Sequence, residues 1–286
     1  MNTSLSSSRA LVLGGGGSTG NAWLIGIIAG LFDSGVDVTS ADLTVGTSAG
    51  ATAAAQLAGA SPSELYEATV VPIPSRPSRG SVSDHVDRMH RLIAASSDAA
   101  DLRRRLAASA LDMAAADDPR HAQWRVMVGA RFAPHSWPER RMLIAAVDAE
   151  TAEPVVFDRD SGVDLVDAVA ASCSSGFAYR IGGRRYLDGG FRRNENADLA
   201  AGYGKVLVLP PFSGRALTPP EWGLQLDAQV AELRAGGSEV LVVSPGDETE
   251  HLFFENAMDL SLRAPAAETG YAQGQVVAER VGEFWG

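Results

Sequence analysis

The sequence predicts a three-layer α/β/α domain with a mainly parallel central sheet and a helical lid insertion. Three observations carry this. Short apolar runs end abruptly in glycine and are followed by apolar residues at helical spacing, the pattern of strand, turn and helix. That unit recurs along the chain. One long interval, about residues 72–140, lacks it and is rich in arginine instead.

The first run, residues 9–13 (RALVL), stops at GGGG and reads as a buried parallel strand. Residues 19–33 follow with Trp23, Ile27, Ile28 and Leu31 at helical spacing, and Gly35 ends that helix. Residues 42–45 (DLTV), the turn GTSAG and an alanine-rich helix over 49–57 repeat the unit. Pro62 opens another helix. Residues 71–83, with Pro72, Pro74, Pro77 and Gly80 among serines, predict a loop. Two or three arginine-rich helices are expected over 84–131. Strand patterns resume at 141–147 and 154–157, followed by a helix over 165–172 and a short strand over 184–187 ending in DGG. Two more buried strands, 205–209 and 239–243, flank a helix near 221–235, and a helix closes the chain from about 265 to 284. The expectation is one domain over 9–286 with an insertion at about 72–140 and a flexible N-terminus over 1–8.

Of the 286 residues, 45% are hydrophobic and 21% charged, which suits a water-soluble globular chain with ample core. The single cysteine, Cys173, rules out an intramolecular disulfide and fits a reducing cytoplasm. Residues 1–9 show no secretory signal pattern, and no apolar run approaches the ~20 residues needed to span a bilayer. The net charge of −11 argues against nucleic acid as a partner. That charge is uneven: residues 72–141 carry twelve arginines against eight acids, a local +4 that leaves −15 on the remainder. A basic face on an otherwise acidic chain would let the insertion touch an anionic membrane. The bland alternative pairs these arginines with Asp84, Asp87, Asp98 and Asp101 on solvated helices.

Three motifs carry chemistry. Gly46-Thr47-Ser48-Ala49-Gly50 between strand and helix is a nucleophile elbow, a sharp turn that lifts the serine Oγ clear of the sheet. Gly46 and Gly50 let strand and helix approach, and the helix beginning at Ala49 aims its first amides at developing negative charge. Read structurally, Ser48 merely caps that helix. The row Gly14–Gly17, ending at Gly20, leaves backbone N–H groups to form an anion nest. Gly15, Gly17 and Gly20 also fit a dinucleotide fingerprint, with Asp37 or Asp42 about twenty residues on, so nucleotide and oxyanion both remain open at this motif alone. Asp188-Gly189-Gly190 at a strand end is either a tight turn or a carboxylate freed to act as base. Of the five histidines, four fall in the insertion, and only His251 has the order of an ordinary Ser…Asp…His triad.

Together, the glycine row, the G-x-S-x-G and the later DGG resemble patatin-like lipid acyl hydrolases. Residues 146–157, 168–173, 183–190 and Asn196 with 205–209 are similar to further segments of that family, so the likeness covers about 9–210. The resemblance implies a Ser48–Asp188 dyad without histidine, an acyl-enzyme intermediate and an oxyanion hole of Gly15, Gly16, Gly17 and Ala49 amides. Gly20, Gly46, Gly50, Gly189 and Gly190 support the motifs. The substrate implied is a lipid or other carboxylic ester, with no cofactor and no metal. The family often carries Lys or Arg where this chain has Thr19, and its proline-rich loop before DGG is replaced by residues 174–179. The rival readings are a Ser–His–Asp hydrolase using His251 and a non-catalytic nucleotide-binding or pseudoenzyme domain.

Overall fold

A computed structural model describes residues 7–72, 82–113 and 118–286. Its strands are β1 (Arg9–Leu13), β2 (Leu43–Gly46), β3 (Arg141–Asp148), β4 (Pro154–Phe157), β5 (Tyr179–Ile181), β6 (Arg184–Asp188), β7 (Lys205–Leu209) and β8 (Glu239–Val242). They form one sheet in the order β5-β6-β3-β2-β1-β7-β8, with β4 also paired to β3. The five strands β3, β2, β1, β7 and β8 run parallel, whereas β4, β5 and β6 join antiparallel.

The helices are α1 (Gly17–Asp33), α2 (Ala49–Leu57), α3 (Pro62–Thr69), α4 (Val82–Ala94), α5 (Ala99–Asp112), α6 (Arg120–Gly129), α7 (Leu165–Ser172), α8 (Leu226–Ala235) and α9 (Arg263–Trp285). Alternating side chains of each central strand enter opposite cores. Leu11, Leu13, Leu207 and Leu209 pack with α1, α2, α7 and α9. Ala10, Val12, Val206 and Val208 pack with Leu226, Val230 and Leu233 of α8. Both faces of the sheet are therefore covered, and the three layers expected from the sequence are present.

Helices α1 and α9 cross with almost no side chain between them. A Cβ on Gly26 or Gly30 would run into the carbonyl oxygens of Ala267 and Tyr271, and one on Gly270 or Gly274 into those of Trp23 and Ile27. Glycines four residues apart on both helices are what permits this approach. Trp23, fully buried on α1, anchors the pair by donating its indole N–H to Gln273 at 3.1 Å.

Helices α4, α5 and α6 fill the interval between α3 and β3, where the insertion was expected. Leu102, Leu106 and Ala110 of α5 bury against Val147, Ala149 and Leu187 at the edge of the sheet. The arginines of α5 do not share one face. Arg104 and Arg105 both reach Asp101, at 3.4 and 3.0 Å, while Arg103 turns inward to the carbonyl of Ala152 at 3.2 Å. Arg125 of α6 bridges Asp164 and Asp167. The side chain of Asp84, most of the 71–83 loop and most of the 1–8 tail lie outside the described residues.

The helix expected near 221–235 begins only at Leu226. Gly223 is left-handed (φ 65°) and Gln225 is extended, which breaks the chain between a 3₁₀ turn at Pro220–Trp222 and α8.

Candidate active site

Strand register sets the site. Leu13 pairs with Gly46, so the glycine row after β1 and the elbow after β2 leave the sheet side by side, at the carboxyl ends where ligands bind in such folds. Gly46 pairs with Ile144, and Asp188 pairs with Ala146 two residues further along β3. Ser48, two residues past Gly46, thus meets Asp188 at the same level with β3 between their strands. The Ser48 Oγ donates to Asp188 Oδ2 at 3.1 Å.

The elbow is strained and fixed from several sides. Ser48 has φ 52° and ψ −112°, a conformation costing about 1–3 kcal/mol for a residue with a Cβ. A Cβ on Gly50 would strike the Leu13 carbonyl, and one on Gly46 would lie 2.7 Å from the Ala51 Cα. The Ser48 amide donates to Ser172 Oγ at 2.9 Å, and Cys173 Sγ donates to the Ser48 carbonyl at 3.0 Å. Both partners come from the end of α7. Burial pushes the Cys173 thiol up to about 12, so it serves as a neutral donor here.

Asp188 is buried, and that burial pushes its carboxyl up to about 6, against the opposing pull of hydrogen bonds from the Gly190 amide, Ser48 and the Ser175 amide. The Gly190 amide donates to Oδ1 at 2.9 Å. One oxygen is thus held by the DGG turn while the other faces the serine.

The glycine row departs from expectation at one position. The amide of Gly15 donates to the Asn194 carbonyl at 2.9 Å, which fastens the row to the segment after β6 and removes Gly15 as an oxyanion donor. Gly14 is likewise tied, to Leu209 at 3.1 Å. Gly17 and Ala49 are the first residues of α1 and α2, where amides have no acceptor within their own helix, and Gly16 immediately precedes α1. Gly17 takes φ 64°, and its approach to the Ala257 carbonyl leaves no room for a Cβ.

Two further residues hold the parts together. Asn196, fully buried and left-handed (φ 53°), donates through Nδ2 to Thr47 Oγ1 (2.9 Å), to the Gly189 carbonyl (3.2 Å) and to the Arg193 carbonyl (2.6 Å). It therefore joins elbow and DGG turn. Asn194 donates to the Gly15 carbonyl (3.1 Å) and to Glu195 Oε1 (3.0 Å). Burial raises the Glu195 carboxyl above the usual range. The sequence singled out Asn196 only through resemblance, and Asn194 and Glu195 not at all.

Among the described residues no histidine ring hydrogen-bonds to Ser48 or Asp188. His251 is exposed, and its Nδ1 lies 3.1 Å from the Glu248 carbonyl on a 3₁₀ turn. Asp37 caps a 3₁₀ turn through the Thr39 amide, and Asp42 accepts from the Arg9 amide, so both acids of the dinucleotide pattern have structural tasks. No group of three or more His, Cys, Asp or Glu placed to hold a metal occurs among the described residues.

Beside the dyad, the loop 173–178 borders an open cavity of about 420 Å³. Met113 just after α5, His121 and Trp124 of α6, Phe177 and Met258 line it. The α5–α6 segment thus forms one wall of this cavity, and Cys173, which bonds the Ser48 carbonyl, lies in another.

A serine on a tight strand-to-helix turn, a buried carboxylate against its Oγ and a glycine row at the neighbouring strand end thus meet at one edge of an α/β/α sheet. The family model described as patatin-like phospholipase matches residues 11–201, and the chain belongs to that family, whose members are lipid acyl hydrolases. The crystal structure of VipD from Legionella pneumophila aligns with a TM-score of 0.45 and 13% identity, covering 96% of this chain and 67% of that one. No curated protein matches the chain.

Proposed function

We propose that the chain is a serine acyl hydrolase that cleaves carboxylic esters of lipids through Ser48 and Asp188. The contact between Ser48 Oγ and Asp188 Oδ2, at 3.1 Å with the carboxyl pushed up to about 6, carries this reading. An ordinary aspartate, with a reference value near ~3.9, is a poor proton acceptor from an alcohol. Burial strengthens Asp188 as a base while leaving it ionised at neutral pH.

In the first half-reaction Asp188 takes the Ser48 proton as Oγ bonds to the ester carbonyl carbon. The Gly16, Gly17 and Ala49 amides, at the positive ends of α1 and α2, hold the oxyanion. Collapse of the tetrahedral intermediate breaks the C–O bond to the alcohol, which leaves with the proton from Asp188. Water then attacks the acyl-serine, its proton passing to Asp188, and Ser48 Oγ recovers it as the acid departs. The cavity lined by Met113, Trp124 and Phe177 suits an acyl chain by its size and its apolar side chains.

A fluorophosphonate probe tests the assignment. It should label the protein at Ser48, and Ser48→Ala should abolish labelling with the fold intact. Labelling elsewhere, or none, would refute it.

A further inference from the structure

Behind the glycine row lies Glu195, a buried carboxylate that takes no part in the proposed mechanism. It is 1% exposed and packs against Gly14, where a Cβ would lie 3.3 Å from Glu195 Cγ. Its oxygens accept from neutral amides, Oε1 from Asn194 Nδ2 at 3.0 Å and Oε2 from Gln229 Nε2 at 3.2 Å. The preceding Arg192 and Arg193 turn instead to Asp198 and Glu232, and among the described residues Glu195 forms no ion pair. Burial opposes a charge here, and the hydrogen bonds from Asn194 and Gln229 favour it.

Both donors are fixed in orientation, so the space between them requires two acceptors. Gln229 cannot turn its amide round: Oε1 takes the Ala197 N–H at 2.8 Å, and Nε2 also donates to the Leu224 carbonyl at 3.2 Å. Asn194 is held in the same way, because its Nδ2 also donates to the Gly15 carbonyl at 3.1 Å. A glutamine at position 195 would set its own NH₂ against one of these donors. Only a carboxylate offers an acceptor to each. That is a chemical reason for a charge where packing alone would favour a neutral group.

Asn194 grips Gly15 from both sides. Its backbone carbonyl accepts the Gly15 N–H at 2.9 Å, and its side chain donates to the Gly15 carbonyl. The Gly15 carbonyl and the Gly16 N–H belong to one planar trans peptide and point in opposite directions. Drawing the carbonyl toward Asn194 therefore turns the Gly16 N–H away from it. With glycine on either side, that plane swivels easily unless something holds it.

We propose that Glu195 is a positioning residue for the oxyanion hole: through Asn194, its carboxylate fixes the peptide plane that carries the Gly16 amide. The inference deepens the hydrolase reading above and rests on it.

Glu195→Gln keeps the shape and reverses one hydrogen bond. On a soluble ester it should lower kcat by about tenfold or more and leave KM within about twofold, because the oxyanion forms only in the transition state. An alkyl trifluoromethyl ketone gives a second reading. Ser48 Oγ adds to its carbonyl carbon, the proton passes to Asp188, and the former carbonyl oxygen becomes an oxyanion. The ketone should lose affinity by a factor similar to the loss in kcat. Wild-type kcat and ketone affinity in Glu195→Gln would overturn the proposal.

Two further variants separate positioning from packing. Exchanging the pair, Glu195→Gln with Gln229→Glu, keeps one carboxylate in the pocket and again gives Asn194 an oxygen to meet. It should return kcat to within about threefold of wild type. An exchange no better than Glu195→Gln alone would also overturn the proposal. Asn194→Ala breaks the chain one link later and puts no new group in the pocket, so it serves even where Glu195→Gln does not fold. It should lower kcat and ketone affinity as Glu195→Gln does, with no further loss when the two are combined. Losses that multiply would place the two residues in separate roles and refute the proposal. A wild type inert toward both ester and ketone would refute the hydrolase reading, and this inference with it. An active wild type with an unaffected Glu195→Gln refutes the inference alone.

Discussion

Ser48 and Asp188 make a 3.1 Å hydrogen bond although β3 lies between the strands that carry them. Strands one removed are about 9–10 Å apart, so both side chains must reach over the end of β3 to meet. The positive φ of Ser48 and the DGG turn after Asp188 aim them there.

On the proposed mechanism the buried carboxylate makes the reaction pH-dependent. Asp188 accepts a proton only when ionised, so kcat/KM on a soluble ester should rise through about pH 6 and be level above. Activity unchanged from pH 4.5 to 8 would contradict this.

The same shift affects stability. The folded value near 6 lies above the unfolded value, so Asp188 favours the folded state fully below about pH 4 and loses that contribution as pH climbs to about 6. Asp188→Asn keeps a neutral group throughout. It should exceed wild type in stability above pH 6, by roughly 2–3 kcal/mol at most, and not at pH 4. Urea denaturation at pH 4 and 8 decides the point.

Loss of either dyad member should be nearly complete. Ser48→Ala and Asp188→Asn should each lower kcat by on the order of 10³-fold or more, and the double variant should be no worse. His251→Ala should keep at least half of wild-type activity, because its ring bonds locally at the surface. Steady-state kinetics on one ester compares all four; a His251→Ala loss matching that of Ser48→Ala would favour a triad.

Ser48→Gly should be inactive yet more stable than wild type by about 1 kcal/mol, since glycine adopts φ 52° without a Cβ clash. Ser48→Ala retains the clash and should show no such gain. Denaturant midpoints of the two variants measure the strain held at Ser48.

Asn196→Ala should cost about 2–4 kcal/mol, because it leaves the Gly189 and Arg193 carbonyls and Thr47 Oγ1 without their shared buried donor. Activity should fall with it, as elbow and DGG turn lose their common tie. Asn196→Gly suits the left-handed backbone but restores no donor, so it should recover stability in part and activity little. Full activity in Asn196→Ala would remove its positioning role.

Sequence made the elbow, the glycine row and DGG legible because each is a local break between strand and helix, spelled within seven residues. It also revealed both faces of the sheet, because buried parallel strands such as β7 are apolar throughout after their first residue, Lys205. What escaped was assembled across the chain. Strand β5 is three residues long with Arg180 at its centre, too short and too polar to show a strand pattern. The capture of the Gly15 amide by Asn194 joins positions 179 residues apart. Arg263 meets Ser18 across 245 residues, and nothing in its own neighbourhood marks it.

The glycine-lined crossing of α1 and α9 bears on how the protein comes off the ribosome. The dyad and the glycine row all precede residue 201, whereas α9 begins at Arg263. At about 5–20 residues per second, that interval takes roughly 3–12 s to translate. Throughout it, the residues of α9 that cover Gly26 and Gly30 of α1 in the folded chain are still being made. Two backbones that meet without intervening side chains need no rotamer sorting, so α9 can seat by simple docking once it emerges. Ser48 is thus made well before the helix that grips the first turn of α1.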